Sequence, residues 1–166
     1  GDLLDVEYAV YCNCAYTYKS FANFFVTETL RKYPVVLWLS RKATDNYTFS
    51  NTKVTIPKGQ LVALPVYAIQ RDPDIFPEPD VFDPNRFLNE NEKNRHPMLF
   101  MPFGDGPRNC IGARFAKIQS KIAMIKVLSS FKLEICDKTV KAYEMDKKPL
   151  FLLQPVHPIY LKITKA

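Results

Sequence analysis

Residues 103–112 read Phe103-Gly104-Asp105-Gly106-Pro107-Arg108-Asn109-Cys110-Ile111-Gly112. This stretch places one cysteine between a glycine-rich loop and a segment with helical periodicity. Glycine is the usual residue where the backbone bends sharply or another group approaches closely. We expect the amides of the following helix and the guanidinium of Arg108 to favour the charged thiolate of Cys110. A thiolate in this position can serve as a nucleophile or as a metal ligand.

The residues after Cys110 predict an amphipathic helix from about 111 to 130. Its apolar positions recur at spacings of four, three, four and three residues, which is typical of one helix face. These positions are Ile111, Phe115, Ile118, Ile122 and Ile125. Beyond the helix, alternating apolar and polar residues predict strands at 131–135 and 159–163.

The residues before the loop predict a helix, a small sheet and a long meander. Helical spacing of apolar residues from Phe21 predicts a helix over 21–32, which Pro34 closes. β-Branched and aromatic residues with a turn at 57–59 predict a small sheet within 35–66. The segment 71–107 holds seven prolines and predicts an ordered meander. Residues 1–20 show no clean period and predict no element.

Composition limits the class of protein. A chain of 166 residues with 47% hydrophobic and 24% charged residues can form one domain with a core. The sequence has no apolar run of eighteen residues, so we expect no membrane span in it. Its net charge of +6 comes from residues 117–166, where ten lysines face four acids. Charge alone does not choose between nucleic acid, anionic lipid and an acidic protein as partner.

The cysteine loop resembles the haem-binding signature of the cytochrome P450 monooxygenases, Phe-Gly-x-Gly-x-Arg-x-Cys-x-Gly-x-x-x-Ala. All seven fixed positions are filled, by Phe103, Gly104, Gly106, Arg108, Cys110, Gly112 and Ala116. The resemblance implies that Cys110 is the axial ligand of haem iron and that its electron donation favours O–O cleavage. It also implies that Arg108 and Arg41 hydrogen-bond the haem propionates, although a solvated strand arginine is the simpler interpretation of Arg41.

Two weaker motifs stand in the order in which the family has them. Glu28-Thr29-Leu30-Arg31 resembles its Glu-x-x-Arg helix motif, and Asp83-Pro84-Asn85-Arg86-Phe87 resembles its Pro-x-Arg-Phe segment. Taken alone, Glu-x-x-Arg is a common surface ion pair. Together with the loop, the resemblance implies a buried network of Glu28, Arg31 and Arg86 that holds the meander under the cysteine loop.

The family resemblance further implies a substrate pocket. Its wall would contain Val36 and Trp38 after the first helix, and Phe151 and Leu152 near the C-terminus; composition alone makes all four simply core residues. The remaining cysteines suggest no metal site: Cys12 and Cys14 are two ligands where zinc needs four, and the two histidines have no ligand spacing. Cys136, on an apolar strand, is expected to be a small buried residue.

The predicted fold class is therefore α+β. The chain resembles the C-terminal part of the mainly helical cytochrome P450 fold, with small sheets, a long meander and a cysteine-ligand loop leading into a helix. Residues 1–20 form an unassigned start, and residues 21–166 form the haem-binding part of a monooxygenase domain. The resemblance is closest to animal microsomal and insect-like members, and the membrane anchor and oxygen-activating helix are expected to lie outside this chain.

The function implied by the resemblance is that of a haem-thiolate monooxygenase segment. Its cofactor is haem iron, and its partners are O₂, a lipophilic substrate and an NADPH-dependent flavoprotein reductase, with no nucleic acid. Arg114, Lys117 and Lys121, on the polar side of the cysteine helix, are predicted to dock that reductase, and the alternative is that they form a solvated helix face. The full-length protein is expected at the cytosolic face of the endoplasmic reticulum membrane, held only by an N-terminal anchor. The alternatives are a non-catalytic fragment and a basic binding module.

Overall fold

A computed structural model describes residues 15–88, 95–140, 143–146 and 152–166. Its helices are α1 (Ala15–Lys32), α2 (Val66–Ile69) and α3 (Ala113–Leu128). Its strands are β1 (Leu39–Lys42), β2 (Tyr47–Thr48), β3 (Thr55–Ile56), β4 (Leu61–Leu64), β5 (Phe131–Glu134) and β6 (Lys162–Lys165). Among the described residues, no helix has the length and apolar character needed to span a membrane.

Helix α1 ends where the sequence predicts and begins earlier. It starts at Ala15, before the predicted start at Phe21 and within the segment for which the sequence predicts no element. Helix formation is cooperative, so a helix can extend along the backbone beyond the residues whose apolar spacing marks it in the sequence. At the other end, the amide of Tyr33 donates to the carbonyl of Thr29 (2.8 Å) and Pro34 stops the helix.

The predicted small sheet is in fact two antiparallel ladders. Strand β1 pairs with β4, with Leu39 opposite Leu64. Strand β2 pairs with β3 to form a short second ladder. The predicted turn before β4 is present: the amide of Gln60 donates to the carbonyl of Pro57 (3.1 Å). Gly59 has φ +85° there, a conformation that favours glycine.

The described parts of the meander, 71–88 and 95–107, contain three short 3₁₀ helices. They span Pro84–Phe87, Pro97–Leu99 and Gly106–Arg108. Each has a proline in its first two positions, where a missing amide costs little. Each also has a side-chain cap on an N-terminal amide, from Asp83, His96 and Asp105 respectively. Proline and capping residues together fix a path that has little regular structure.

The C-terminal elements are shorter than predicted or displaced. Helix α3 begins at Ala113 and ends at Leu128, inside the predicted bounds of 111 and 130. Strand β5 pairs antiparallel with β6, which begins at Lys162 rather than at residue 159. The carbonyl of Tyr160 accepts a hydrogen bond from the hydroxyl of Thr139 (2.8 Å), so this part of the chain does not join the ladder.

The core lies where α1 meets the meander. Its buried apolar residues are Ala22, Val66, Phe76, Phe87 and Met101. Helix α1 packs on the 3₁₀ helix Pro84–Phe87 and on α3. The rings of Phe87 and Phe100 pack with their centroids 4.9 Å apart. The apolar core is small, and the largest fully buried side chains include the polar residues Glu28, Arg31 and Gln70.

Helix α3 places most of its predicted apolar stripe outward, the reverse of the usual arrangement. Ile111, just before the helix, and Phe115, Ile118 and Ile122 within it are exposed by between 57% and 104%, whereas Ile125 is half-buried. The opposite side contacts α1, where the ammonium of Lys121 donates to the side-chain oxygen of Asn23 (2.7 Å). The predicted helix is therefore present, and of its lysines Lys121 packs against α1, whereas Lys117 and Lys126 are exposed.

Candidate functional site

The cysteine loop is shaped by its glycines and by its own backbone hydrogen bonds. Gly104 and Gly106 have φ angles of +69° and +75°, which disfavour most other residues. The amide of Cys110 donates to the carbonyl of Phe103 (2.8 Å), and the amide of Asn109 donates to that of Gly106 (3.0 Å). These bonds close the loop and fix the backbone of the cysteine.

The thiol of Cys110 is free and exposed. The carbonyl of Cys110 accepts from the amide of Ala113 (3.2 Å), which ties the residue to the start of α3. A β-carbon built on Gly112 would lie 3.9 Å from the sulfur, so glycine keeps the space beside the thiol clear. The next side chain, Ile111, is fully exposed. The sulfur therefore has room on its outer side for a large group.

Two arginines reach the same loop. Arg41, on β1, donates to the carbonyl of Ser40 (2.9 Å) and to that of Asp105 (3.5 Å). Its guanidinium would be 3.8 Å from a β-carbon built on Gly104. Arg108 ends the last 3₁₀ helix and is exposed. The structure thus brings Arg41 to the loop that carries Arg108, although the two residues are far apart in the sequence.

The donor set of this loop fits haem better than it fits a bare metal ion. In the part of the chain that the structure describes, no three potential His, Cys, Asp or Glu ligands lie together. A haem brings four nitrogen ligands of its own and needs one soft axial donor, which the exposed Cys110 thiol can supply. Arg41 and Arg108 offer guanidinium donors for its two carboxylates. The residues present therefore suit the group that the sequence implies.

Three further residues of the predicted haem site frame the cysteine. Phe103 and Ala116 are half-buried, as is Gly112 at the N-cap of α3. The amide of Ala116 donates to the carbonyl of Gly112 (2.9 Å) in the first turn of the helix. The ammonium of Lys117 lies 5.4 Å from the centroid of the Phe103 ring. The contact of Lys117 with Phe103 thus joins the helix to the loop.

Behind the loop, a fully buried ion pair joins Glu28 and Arg31 on α1. The guanidinium donates from Nε and Nη2 to the two carboxylate oxygens, at 2.7 Å in both cases. Both side chains have no exposed surface. This bidentate geometry is the strongest form of an arginine–carboxylate contact. The two residues are three positions apart, as in the common exposed ion pairs of helices, but here the ion pair is buried.

The remaining donors of Arg31 bind carbonyl groups of Gln70 and of the meander that follows it. They donate to the backbone carbonyls of Gln70 (3.0 Å), Pro79 (2.9 Å) and Val81 (3.4 Å). The guanidinium also lies 5.5 Å from the centroid of the Phe76 ring. One buried cation thereby connects α1 with two separate parts of the chain that follows β4.

Arg86 reaches the same carboxylate from the meander. Its Nε lies 3.5 Å from Oε1 of Glu28, and the backbone amide of Asp83 donates to that oxygen (3.0 Å). The guanidinium of Arg86 also donates to the carbonyl of Glu78 (2.8 Å). The structure therefore brings Glu28, Arg31 and Arg86 together, with Arg86 at the edge of the network and partly exposed.

Gln70 also belongs to this network, although the sequence did not predict it. Its side-chain amide donates to the carbonyls of Leu30 and Arg31, both at 3.0 Å. These bonds give hydrogen-bond partners to two carbonyl groups in the last turn of α1. Its side-chain oxygen accepts from the amide of Met101 (3.3 Å), just before the cysteine loop. A single glutamine has no sequence signal for such a role, because its partners lie more than thirty positions away.

Arg95 is a second residue whose role the sequence did not predict. Its guanidinium lies 4.4 Å from the centroid of the Phe76 ring and 5.2 Å from that of Phe87. A cation over two buried aromatic faces gains from their ring quadrupoles. Arginine in a proline-rich segment gives no hint of this contact, since the two rings come together only in the fold.

The predicted substrate wall is partly assembled. Val36 and Leu152 form an antiparallel bridge, and the amide of Leu153 donates to the carbonyl of Val35 (3.1 Å). Trp38 is half-buried in the same segment. Phe151 lies outside the described residues. The structure thus places Val36 opposite Leu152 in an isolated β-bridge.

The other cysteines and one histidine have different surroundings. Cys12 and Cys14 lie outside the described residues. Cys136 is half-exposed, not buried as predicted, because the hydroxyl of Thr139 holds it at the end of β5. That hydroxyl oxygen lies 3.4 Å from the sulfur, and this contact is the largest cause of the lowered pKa of the Cys136 thiol. His96 uses its ring nitrogen as a helix cap.

The chain is similar to cytochromes P450 along most of its length. The family model named Cytochrome P450 matches residues 20–163. The chain is 47% identical over 141 residues to "Probable cytochrome P450 6a14" of Drosophila melanogaster and 44% identical over 138 residues to "Cytochrome P450 6B1" of Papilio polyxenes. It is 42% identical over 143 residues to "Cytochrome P450 3A25" of Mus musculus.

These matches cover 85%, 83% and 86% of the chain respectively, and 28% of each relative. The chain thus spans little more than a quarter of the length of the curated relatives it matches. Within that span it carries the seven fixed positions of the cysteine loop, the buried pair on the first helix and the arginine of the meander. The chain belongs to the cytochrome P450 family.

Proposed function

We propose that this chain is the haem-binding part of a haem-thiolate monooxygenase and that Cys110 is the axial ligand of the iron. The observation that carries the proposal is the exposed thiol of Cys110, held at a loop-to-helix junction by the hydrogen bond to Phe103. A thiolate ligand donates electron density to the iron, which is what O–O bond cleavage requires. Family membership supports the same assignment.

The surrounding residues would hold the haem in place. Arg41 and Arg108 would donate to the propionates, since their guanidinium groups match carboxylates in geometry and charge. Phe103, Gly112 and Ala116 would form the surface around the sulfur. The buried contacts of Glu28, Arg31 and Gln70 would keep that surface rigid, because they tie α1 to the segment that leads into the loop.

When bound, the haem would supply O₂ activation and the insertion of one oxygen atom into a lipophilic substrate. The part of this chain in that reaction is to ligate the iron and to line one side of the substrate pocket. Val36 and Leu152, paired across a bridge, would form that wall together with Trp38 and Phe151. Apolar side chains at these positions suit a substrate of low polarity.

The proposed electron donor is an NADPH-dependent flavoprotein reductase, and the proposed location of the whole protein is the cytosolic face of the endoplasmic reticulum membrane. Family membership supports both. The excess of lysine in the C-terminal third of the chain favours an acidic protein partner. The cysteine loop suits haem, and a haem protein of this kind needs an electron donor, so we prefer a protein partner over nucleic acid.

Haem reconstitution of the chain tests the proposal. We expect the reduced, carbon-monoxide-treated sample to show the red-shifted Soret band of a thiolate ligand. A chain that folds, as judged by its helical circular dichroism, but takes up no haem would support the non-catalytic fragment. Salt-sensitive nucleic-acid binding without haem uptake would support the basic binding module. Either of these results would overturn the proposal.

The structure leaves two of the three predicted reductase-docking residues on an open surface. Lys121 donates to Asn23 on α1 and is half-buried, so it is not available on an open docking face as predicted. Arg114 and Lys117 are exposed, and the ammonium of Lys117 also lies over the ring of Phe103 beside the cysteine. We therefore assign the docking role to Arg114 and Lys117.

Charge reversal at these two positions is expected to slow electron delivery. The double variant Arg114→Glu with Lys117→Glu, in an active enzyme that carries this chain, should lower the rate of reductase-driven turnover by about tenfold at low salt. The physical reason is lost electrostatic steering, so the difference should shrink as salt is added. Peroxide-driven turnover, which needs no reductase, should stay constant.

Lys126→Glu is the matched control for this experiment. It makes the same kind of change on the same helix, near the C-terminal end of α3 and away from the cysteine. We expect it to leave reductase-driven turnover close to normal. Equal losses in the reductase and peroxide assays would show damage to the haem site and would remove the docking assignment.

A further inference from the structure

A cleft of about 380 Å³ lies between α1 and the C-terminal segment. Apolar and aromatic side chains form most of its surface, among them Phe25, Phe82, Tyr143, Met145, Leu153 and Ile159. The rings of Phe25 and Phe82 pack with centroids 5.0 Å apart and form one end. Small-molecule sites in proteins typically have volumes of about 300–1,000 Å³ and mostly apolar walls. The cleft has the size and lining of such a site.

Tyr143 brings a polar group to this cleft. Its hydroxyl is buried and makes no hydrogen bond within the described chain. A buried hydroxyl in this state is rare and unfavourable, because it has lost its contact with water. A ligand with one hydrogen-bonding oxygen near Tyr143 would satisfy it.

A second, more polar cavity of about 750 Å³ adjoins the cleft and shares the side chains of Tyr143, Met145 and Leu153 with it. The charged residues around this cavity are three acids and two bases: Asp80, Glu144, Asp146, Lys32 and Arg71. Acids therefore outnumber bases by one around this second cavity, whereas Lys32 is the one charged side chain among the described residues that line the cleft itself.

Both bases already have partners nearby. Arg71 is paired with Asp80. Lys32 lines the cleft as well as the second cavity, and its ammonium lies 5.5 Å from the centroid of the Tyr33 ring. An anionic head group would have to compete with these contacts and face the excess of acids. The charge of the surroundings thus favours an uncharged ligand.

The cleft has a lining of its own, apart from the proposed substrate wall. Val36 and Leu152 face each other in an isolated β-bridge, and Leu153, next to Leu152, lines the cleft. No described residue of the proposed wall lines the cleft or the second cavity.

We propose that this cleft binds an uncharged lipophilic molecule with a single hydrogen-bonding oxygen, at a site separate from the haem pocket. The apolar body of the ligand would lie against Phe25, Met145 and Ile159. Its oxygen would accept a hydrogen bond from the hydroxyl of Tyr143. Because Leu153 is hydrogen-bonded to Val35, a ligand in the cleft would rest against the strand pair that carries the substrate wall.

The test compares two probes of equal chain length, 2-decanone and decanoate, by calorimetric titration of the 166-residue chain. We expect the ketone to bind at least about tenfold more tightly than the carboxylate. In a chain with labelled methionine methyl groups, nuclear Overhauser contacts from the ketone should reach Met145 and not Met98, which lies in the meander. Absence of ketone binding, or contacts elsewhere, would overturn the proposal.

Two variants sharpen the test. Tyr143→Phe removes only the hydroxyl and should weaken ketone binding about two- to twelvefold, the range of one net hydrogen bond. Tyr47→Phe, an exposed tyrosine on β2, is the control and should bind normally. Leu153→Trp should fill the cleft and abolish binding, whereas Ile163→Trp, at an exposed position on β6, should not.

If Tyr143→Phe left ketone affinity unchanged, the proposed hydrogen bond from the Tyr143 hydroxyl would be wrong. If a folded Leu153→Trp variant kept its affinity, the ligand would have to bind outside the cleft. The methionine contacts are measured in the unaltered chain, so they decide the matter even where a variant does not fold. None of these measurements needs haem. Their outcome is therefore separate from that of haem reconstitution.

Discussion

Replacing Cys110 with serine is expected to abolish thiolate ligation of haem iron and to leave helix α3 in place. An alcohol is a poor iron ligand compared with a thiolate, so the red-shifted Soret band of the reduced carbon-monoxide complex should disappear. The helix begins at Ala113 with Gly112 as its N-cap, and position 110 contributes only its backbone carbonyl. Circular dichroism should therefore show unchanged helix content.

Cys136→Ser is the matched control for this substitution. Cys136 is the other free cysteine among the described residues and lies at the end of β5, where its sulfur contacts Thr139. We expect this variant to keep the red-shifted band at full intensity. If Cys110→Ser retained the band while Cys136→Ser lost it, the axial ligand would have to be reassigned to Cys136.

Glu28→Ala is expected to cause a large loss of stability. It would leave the guanidinium of Arg31 buried without its carboxylate, and breaking a buried ion pair typically costs about 3–5 kcal/mol. The amide of Asp83 would also lose its acceptor. The free energy of unfolding, measured by urea titration, should fall by about that amount.

Three companion variants show whether the loss comes from the buried pair. Arg86→Ala should cost less, about 1–3 kcal/mol, because Arg86 lies at the edge of the network and Glu28 keeps its bidentate partner. Asp45→Ala, which removes an exposed ion pair with Lys58, should change stability little. The double variant of Glu28 and Arg31 to alanine should cost less than the sum of the two single variants.

A stability for Glu28→Ala equal to that of Asp45→Ala would contradict the buried network. Haem uptake gives a second measurement. Since Arg31 and Gln70 tie α1 to the segment that enters the cysteine loop, Glu28→Ala should also retain haem less well than the unaltered chain. Loss of stability with fully normal haem retention would confine the role of the pair to folding.

Most local features could be predicted from neighbouring residues. The positions of proline and glycine in the sequence correctly predicted the turn before β4 and the irregular path of the meander. The apolar period located α3 to within two residues at each end. The beginning of α1 could not be predicted, because its first residues have no apolar pattern. The start of β6 also differed, since the hydroxyl of Thr139 takes the Tyr160 carbonyl from a distance of 21 positions.

The residues of the candidate site also fall into those that the sequence predicts and those that it does not. Glu28, Arg31 and the loop around Cys110 could be identified from short motifs, because each motif is a run of residues whose spacing follows from one helix or one turn. Gln70 and Arg95 could not, because their partners come from distant parts of the chain. No local pattern records a contact of that kind.

Local spacing in the sequence was enough to establish the family, the cysteine at the loop-to-helix junction, the end of α1 and the position of α3, because each depends on residues within about twenty positions of one another. It was not enough to establish which side of α3 packs on α1. The same periodicity allows either side to pack, and in the folded chain the side that carries Lys121 lies against α1, where its ammonium contacts Asn23. Burial, too, depends on the whole fold: Glu28 and Arg31 form a buried pair only because the meander covers them.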